Sequence, residues 1–293
     1  MLHNLESVMG LVAPSFIIIA MGFIYGKLTR SDTSEMVHWT MIILVPSFAF
    51  YHILKMEIEI QLVSSIFLTA WIVILGNGLL SFILFRFFPV SSNGLFLPIM
   101  FMNTVNLPFP ILLAAYGPDA LSLSLMFYFA SLVGIFTVGI LIVSAENAAT
   151  QIFKEPVLYV LVAGFFIKYN EIPMPQLAMD TLALLEKATV PVVLLALGMQ
   201  LSWVKVTELK LPLLATAIRF LGGLGIALLC VKAFGLAGLP RKVALFISVM
   251  PSAVISYLVA QKYDAGGSLV ASTVFLSTLF SILLIPAMLL WLG

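Results

Sequence analysis

The chain has 293 residues, of which 62% are hydrophobic and only 9% charged, where an ordinary soluble domain carries about 25% charged residues. Its mean hydropathy is +1.17, and 14 Lys and Arg against 13 Asp and Glu leave a net charge of +1. That balance gives nucleic acid no electrostatic footing, and the single cysteine, Cys230, excludes an intramolecular disulfide and a cysteine-based metal cluster. No polar stretch is long enough to fold as an accessory domain in water, so the composition points to an all-α polytopic membrane protein.

A span takes about 20 apolar residues to cross roughly 30 Å of hydrocarbon. Apolar runs between charged or turn-forming breaks predict ten, at about 9–28, 36–54, 62–88, 94–116, 119–143, 152–170, 181–203, 211–234, 241–262 and 268–292. The first has no basic leader, and Tyr25-Gly26-Lys27 stands where a signal cleavage site would need small residues, so it reads as a retained span. In the seventh, Asp180, Glu186 and Lys187 precede the uninterrupted apolar run that begins at Ala188; they are expected at the interface. With the N-terminus outside, the inner loops hold Lys27, Arg30, Arg86, Lys154, Lys205, Lys210 and Lys262, and the outer ones Lys55, Lys168, Lys232, Arg241 and Lys242. The bias favours both termini outside, in a plasma membrane of bacterial type.

Two halves resemble each other. Ala20-Met21-Gly22-Phe23-Ile24 matches Val162-Ala163-Gly164-Phe165-Phe166, Pro46 matches Pro191, and Tyr116-Gly117-Pro118-Asp119 matches Tyr263-Asp264-Ala265-Gly266, at separations of 142, 145 and 147 residues. The expected units are 1–148 and 149–293. Five crossings per unit is an odd number, so the second enters from the opposite side and the repeat is inverted, a construction used by secondary transporters.

The fourth span carries the most chemistry. Its centre reads Met102-Asn103-Thr104-Val105-Asn106-Leu107-Pro108-Phe109-Pro110, and an interior proline costs a continuous helix about 3 kcal/mol or more. About ten residues flank the centre on each side, roughly 15 Å each, which predicts a break at the bilayer midplane. The ninth span repeats the arrangement, with Arg241 to Met250, a break at Pro251-Ser252, and Ala253 to Lys262. Backbone freed inside lipid is tolerated when it is buried in protein or lines a wet cavity. Two half-helices starting there aim N–H groups and positive dipole ends at one point. Asn103, Thr104, Asn106 and Ser252 add neutral donors and acceptors, a combination suited to a small carboxylate. The plainer alternative is a pair of kinked helices whose asparagines bond neighbouring backbone.

These segments resemble the auxin efflux carrier family of plants and bacteria. The Asn-containing, proline-broken centre Asn103-Thr-Val-Asn106-Leu-Pro108, its counterpart Pro251-Ser252, and the run Thr189-Val-Pro191-Val-Val-Leu-Leu-Ala-Leu-Gly198-Met199 carry the likeness. It extends over essentially the whole chain. The plant carriers join their halves by a long polar loop; here about a dozen residues, Ser144 to Glu155, do so, as in bacterial members. The resemblance implies a fold like that of sodium/proton antiporters and bile-acid symporters. Spans 3–5 and 8–10 would form a transport domain in which the fourth and ninth cross. Spans 1, 2, 6 and 7 would form a scaffold, often dimeric. It further implies efflux of an organic anion such as auxin, malate or malonate, with Asn103, Asn106, Pro108 and Pro251 at the crossing. The plant motif places a proline between its asparagines, where this chain has Thr104-Val105 and shifts its prolines to 108 and 110.

Among other polar groups, Asn77 lies between Gly76 and Gly78 in the third span and either faces the substrate or bonds a neighbouring helix. Tyr128 and Ser131 on the fifth span are candidates to reach the site. Arg219, about eight residues into the eighth span, is expected to snorkel or to pair with an acid. His38 and His52 flank the second span, where a loop or interface role is expected. Neither a phosphate-binding G-x-x-x-x-G-K-[ST] motif nor H-E-x-x-H is present, which removes ATP-driven transport and metalloprotease chemistry. The expectation is a secondary transporter that exports a small organic carboxylate, without cofactor or metal. Membrane potential is its simplest drive, because no Asp or Glu stands mid-span in the fourth, fifth, ninth or tenth helices. A sodium- or proton-coupled symporter on the same fold is the alternative within transport, and an intramembrane enzyme or sensor the alternative outside it.

Overall fold

The computed structural model describes residues 5–29, 34–55, 60–88, 90, 92–144, 156–206 and 209–293. Most of the expected link from Ser144 to Glu155, the start of the sixth span at 152, and the loop cations Arg30 and Lys154 lie outside those residues. Helices account for every regular element among the described residues: α1 (Leu5–Thr29), α2 (Ser34–Trp39), a π-helical turn (Thr40–Leu44), α3 (Val45–Lys55), α4 (Ile60–Leu84), a 3-10 turn (Asn93–Leu95), α5 (Phe96–Met100), α6 (Pro108–Tyr116), α7 (Pro118–Gly134), a second π turn (Ile135–Gly139), α8 (Ile140–Val143), α9 (Pro156–Tyr169), α10 (Gln176–Ser202), α11 (Lys210–Ala233), α12 (Gly238–Ser248), α13 (Val254–Lys262) and α14 (Gly267–Leu292). Among the described residues, six helices are long and apolar enough to cross a bilayer, and Ile42–Lys55 and Leu158–Tyr169 are shorter apolar helices. The chain is an integral, multi-pass helical membrane protein.

Chemistry explains why helices dominate. Hydrocarbon offers no partner for N–H and C=O groups, so each span must satisfy its own backbone. Outward residues such as Leu79, Leu177, Leu221 and Leu283 are among the most exposed large side chains, as a lipid-facing surface requires. Inside, the polar residues are mostly Ser and Thr whose hydroxyls return to a carbonyl one turn back, as Thr69 does to Ser65 and Thr273 to Leu269.

Close helix contacts fall on glycine. Gly22 of α1 lies against the backbone of Leu195 in α10, and Gly164 of α9 lies against Phe50 and Ile53 of α3. Gly76 of α4 faces Ile226 of α11, while Gly222 of α11 faces Asn77 and Leu80 of α4. These contacts come in pairs that exchange the two halves of the chain. At the π turn that leads into α3 the contact with α10 is direct: the Thr189 hydroxyl donates to the carbonyl of Leu44, 145 residues away, at 3.3 Å. The helices pack correspondingly, α1 on α10 and α9 on α3, with α4 against α11 at the centre.

Candidate functional site

The fourth expected span is broken into α5 and α6, and the ninth into α12 and α13, with Phe101 to Leu107 and Val249 to Ala253 between the halves. Proline placement explains where α6 starts. Pro108 occupies its first turn, where the N–H it lacks would have no intrahelical acceptor in any case and its fixed φ suits helix entry. The two breaks pass each other antiparallel, with Met102 and Ser252 paired as an isolated bridge. The Asn103 N–H donates to Pro251 O at 2.7 Å and the Ala253 N–H to Phe101 O at 2.9 Å. Backbone that a proline-interrupted helix leaves unpaired is therefore paired across the crossing.

Side chains reinforce this junction. The Ser252 hydroxyl donates to Pro98 O at 2.7 Å, and the Ser252 N–H donates to the Ser277 hydroxyl of α14 at 3.0 Å. Ser252 is fully buried, and the bonds it donates are structural ties. Arg219 of α11 is fully buried too. Its Nη1 donates to Ile99 O at 2.9 Å and to Met100 O at 3.3 Å, and its Nη2 donates to Ser248 O. These carbonyls end α5 and α12, where the helix dipoles are negative and the last C=O groups lack intrahelical donors. Snorkelling and an acidic partner are thus both replaced by a single guanidinium that caps two half-helices. Sequence alone could not reveal the acceptors, because they are main-chain groups exposed only by the breaks.

The other ends of the breaks present donors. The Asn103 carboxamide oxygen accepts from the Asn106 N–H at 3.0 Å, bracing the turn into α6. Its Nδ2, buried with the rest of the side chain, has no hydrogen-bond partner. Thr104 and Pro108 are buried and Asn106 is half-buried. At the start of α13 the N–H groups of Val254 and Ile255 have no backbone acceptor among the described residues, and the buried Ser256 hydroxyl is unpartnered. Ser256 was not singled out by its sequence context; a serine in an apolar helix has no distinguishing pattern.

Tyr128 and Ser131 of α7 are also buried. The Tyr128 ring meets Phe109 of α6 edge-on at 6.3 Å, and Gly134, further along α7, lies against Phe101 of the break. Ser131, between them, has an unpartnered hydroxyl. Asn77 is placed differently. It is fully buried beside Gly222, yet neither amide atom forms a hydrogen bond, so the expected helix-helix bond is absent and its packing is against α11.

Two residues expected at the interface, Glu186 and His52, meet inside the protein. Glu186 lies ten residues into α10, about 15 Å along the helix, and its carboxylate Oε1 is 3.4 Å from Nε2 of His52 in α3. Both side chains are largely withdrawn from the surface, at 16% and 7% exposure. The helix begins well before the apolar run, at Gln176, which carries Glu186 inward.

The profile of the membrane transport protein family matches residues 141–289, which takes in the second broken helix. A protein named as an uncharacterized transporter in Methanocaldococcus jannaschii is 27% identical over 304 aligned positions, covering 94% of this chain and 96% of the relative. With a family profile over half of its length and a transporter aligned nearly end to end, this chain is a membrane transporter and belongs to the membrane transport protein family, that of the auxin efflux carriers.

Proposed function

We propose that the protein is a secondary transporter that exports a small organic carboxylate by alternating access, and that the crossing of α5/α6 with α12/α13 holds the anion. The observation that carries this reading is the unpartnered, buried Asn103 Nδ2 beside two half-helices that begin at the crossing. An uncommitted donor inside a membrane protein is costly unless a ligand or water meets it. Asn106, Thr104 and the first turn of α13 extend the donor set, with Tyr128 and Ser131 on the α7 side. Pro108 and Pro251 shape the break, Ser252 ties it together, and Asn77 supports it from α4.

The same contacts support a reading of the wider architecture. The exchanged glycine contacts and the Thr189–Leu44 bond support ten spans arranged as two inverted units, 1–148 and 149–293. Helices α1, α2/α3, α9 and α10 would act as a scaffold, with the remainder as a transport domain. We further propose both termini outside, a bacterial inner membrane, and a homodimer through the scaffold.

Malate, malonate and indole acetate, tested for thermal stabilisation of the purified chain, examine the site. At least one should raise the melting temperature of the wild type, and the rise should disappear in Asn103→Ala and Asn106→Ala. A rise that survives in both variants removes the crossing as the binding site.

A further inference from the structure

The His52–Glu186 contact takes no part in the crossing, yet it is built like a functional group. Nε2 of His52 is buried and makes no hydrogen bond, while a carboxylate oxygen stands 3.4 Å away. With a neutral imidazole, Glu186 faces a nitrogen that does not compensate its charge. One proton shared by the pair converts the contact into a charge-assisted hydrogen bond.

Its surroundings define a single site. Tyr51 and Lys55 flank His52 on α3, with the Lys55 ammonium donating to the Tyr51 hydroxyl at 2.7 Å. Lys187 follows Glu186 on α10, and the charges of Lys55 and Lys187 act on the pair. Asp180 on α10, Tyr159, Lys168 and Tyr169 on α9, and Asp119 and Tyr128 on α7 are the remaining ionisable groups of the elements packed against α3. Arg219, the other buried charge, is committed to three carbonyls.

The pair also reaches the crossing mechanically. The His52 ring lies 4.6 Å from that of Phe48, one turn earlier on α3, and Phe48 stacks on Phe109 at 5.1 Å and 14°. Phe109 is the second residue of α6. Thus α3 joins the pair to the half-helix that begins at the crossing, and a π turn, Thr40–Leu44, stands just before it. Such turns mark places where a helix can change its register.

We propose that His52 and Glu186 form a proton-binding site, and that the proton held there is the coupling ion that moves with each carboxylate. This rests on the carboxylate reading above and replaces a purely voltage-driven mechanism. The proton enters from one side, is held between Nε2 and Oε1, and leaves with the anion on the other. A monocarboxylate then crosses without net charge, and outward flow follows whenever the anion's own gradient exceeds the opposing proton gradient. The carboxylate missing from spans four, five, nine and ten is supplied by the seventh.

Infrared difference spectroscopy on the full chain in lipid, with no cargo added, reads the site directly. Acidification from about pH 8 to about pH 5 should produce carboxyl or imidazolium bands that are absent from both H52Q and E186Q. Coupling is then read in proteoliposomes with voltage clamped at zero, using malate, malonate and indole acetate. A one-unit pH gradient should support about tenfold accumulation of the carried anion per proton, lost in H52Q and E186Q and regained in the swapped H52E/E186H protein. Bands that do not change with pH overturn the proposal, as does accumulation indifferent to the pH gradient in wild-type protein that carries the anion. Titrating bands with no panel member moved by the wild type would support the proton site and count against the carboxylate reading instead.

Discussion

The N–H of Asn103 and the carbonyl of Pro251 are joined at 2.7 Å, across the point where two broken helices pass. A proline removes its own N–H and, by steric clash, the bond of a carbonyl one turn earlier. At this crossing the loss from one helix is made good by the other. Phe101 and Ala253 complete the exchange at 2.9 Å, so the two breaks form one hydrogen-bonded unit. Asn103 therefore has two duties: its backbone closes the crossing, and in the function proposed above its unpartnered Nδ2 addresses the anion.

Those duties separate by substitution. Asn103→Asp keeps an oxygen to accept from the Asn106 N–H but replaces the unpartnered Nδ2 by an acceptor. A hydrogen bond to a charged group is worth about 1.5–3 kcal/mol, or roughly ten- to more than a hundredfold in affinity. The buried carboxylate should lower the melting temperature, while the Kd for the transported carboxylate, measured by calorimetry on the folded variant, rises by at least that factor. Unchanged affinity would show that the carboxamide nitrogen does not touch the cargo.

Arg219 should govern stability more than affinity. Arg219→Met orphans the carbonyls of Ile99, Met100 and Ser248, at about 1–3 kcal/mol for each buried acceptor left bare. Arg219→Lys supplies one ammonium on a shorter side chain and lacks the fork that spans two helix ends. Melting temperatures in detergent should fall in the order wild type, Lys, Met. A Met variant as stable as the wild type would contradict the capping role.

The crossing was legible in sequence because proline acts locally. Pro108 and Pro110 close together weigh against a continuous helix through the asparagines, although Pro14, Pro191 and Pro286 each sit inside an unbroken one, and Pro251 repeats the signal. What Arg219 does was not legible. Its partners are carbonyls brought together from residues 99, 100 and 248, and any intramembrane arginine invites a search for an acid. The ties of Ser252 were not legible for the same reason: a hydroxyl beside a break says nothing about whether Pro98 and Ser277 have already engaged the residue. That Glu186 meets His52 was not legible, because hydropathy locates the apolar run, which begins at Ala188, and neither the start of the helix at Gln176 nor a partner on α3.

The glycine cluster of α11 offers an internal comparison. A Cβ on Gly223 would collide with Ser248 O and with the Arg219 guanidinium, whereas one on Gly225 meets nothing within 4 Å. Gly223→Ala should push α12 from α11 and strip Arg219 of its Ser248 bond, lowering the melting temperature. Gly225→Ala should be neutral or slightly stabilising, since alanine is favoured over glycine in a helix by up to about 1 kcal/mol. Equal effects of the two substitutions would mean that the close approach around Arg219 is not tight.

The seam between α1 and α10 gives a prediction about motion. Gly22 and Gly26 lie one turn apart on α1, against Leu195 and against Met199 and Ser202 of α10, while Gly198 of α10 lies against the backbone of Ile19 and Phe23. Small residues at this spacing let two membrane helices approach backbone to backbone, so that packing rather than a hydrophobic drive holds them together. If α1 and α10 form a rigid scaffold face, widening the seam should loosen that face without touching the crossing. Gly198→Ala places a Cβ into main-chain atoms that cannot turn aside as a side chain would, whereas Gly10→Ala on the same seam helix meets open space. The expected result is a lower melting temperature for Gly198→Ala, and faster hydrogen-deuterium exchange across residues 16–26 and 192–202, with carboxylate affinity retained. Gly10→Ala should match the wild type in all three. Loss of affinity together with stability in Gly198→Ala would mean that the seam and the crossing move as one body, and the division into scaffold and transport domain would have to be redrawn.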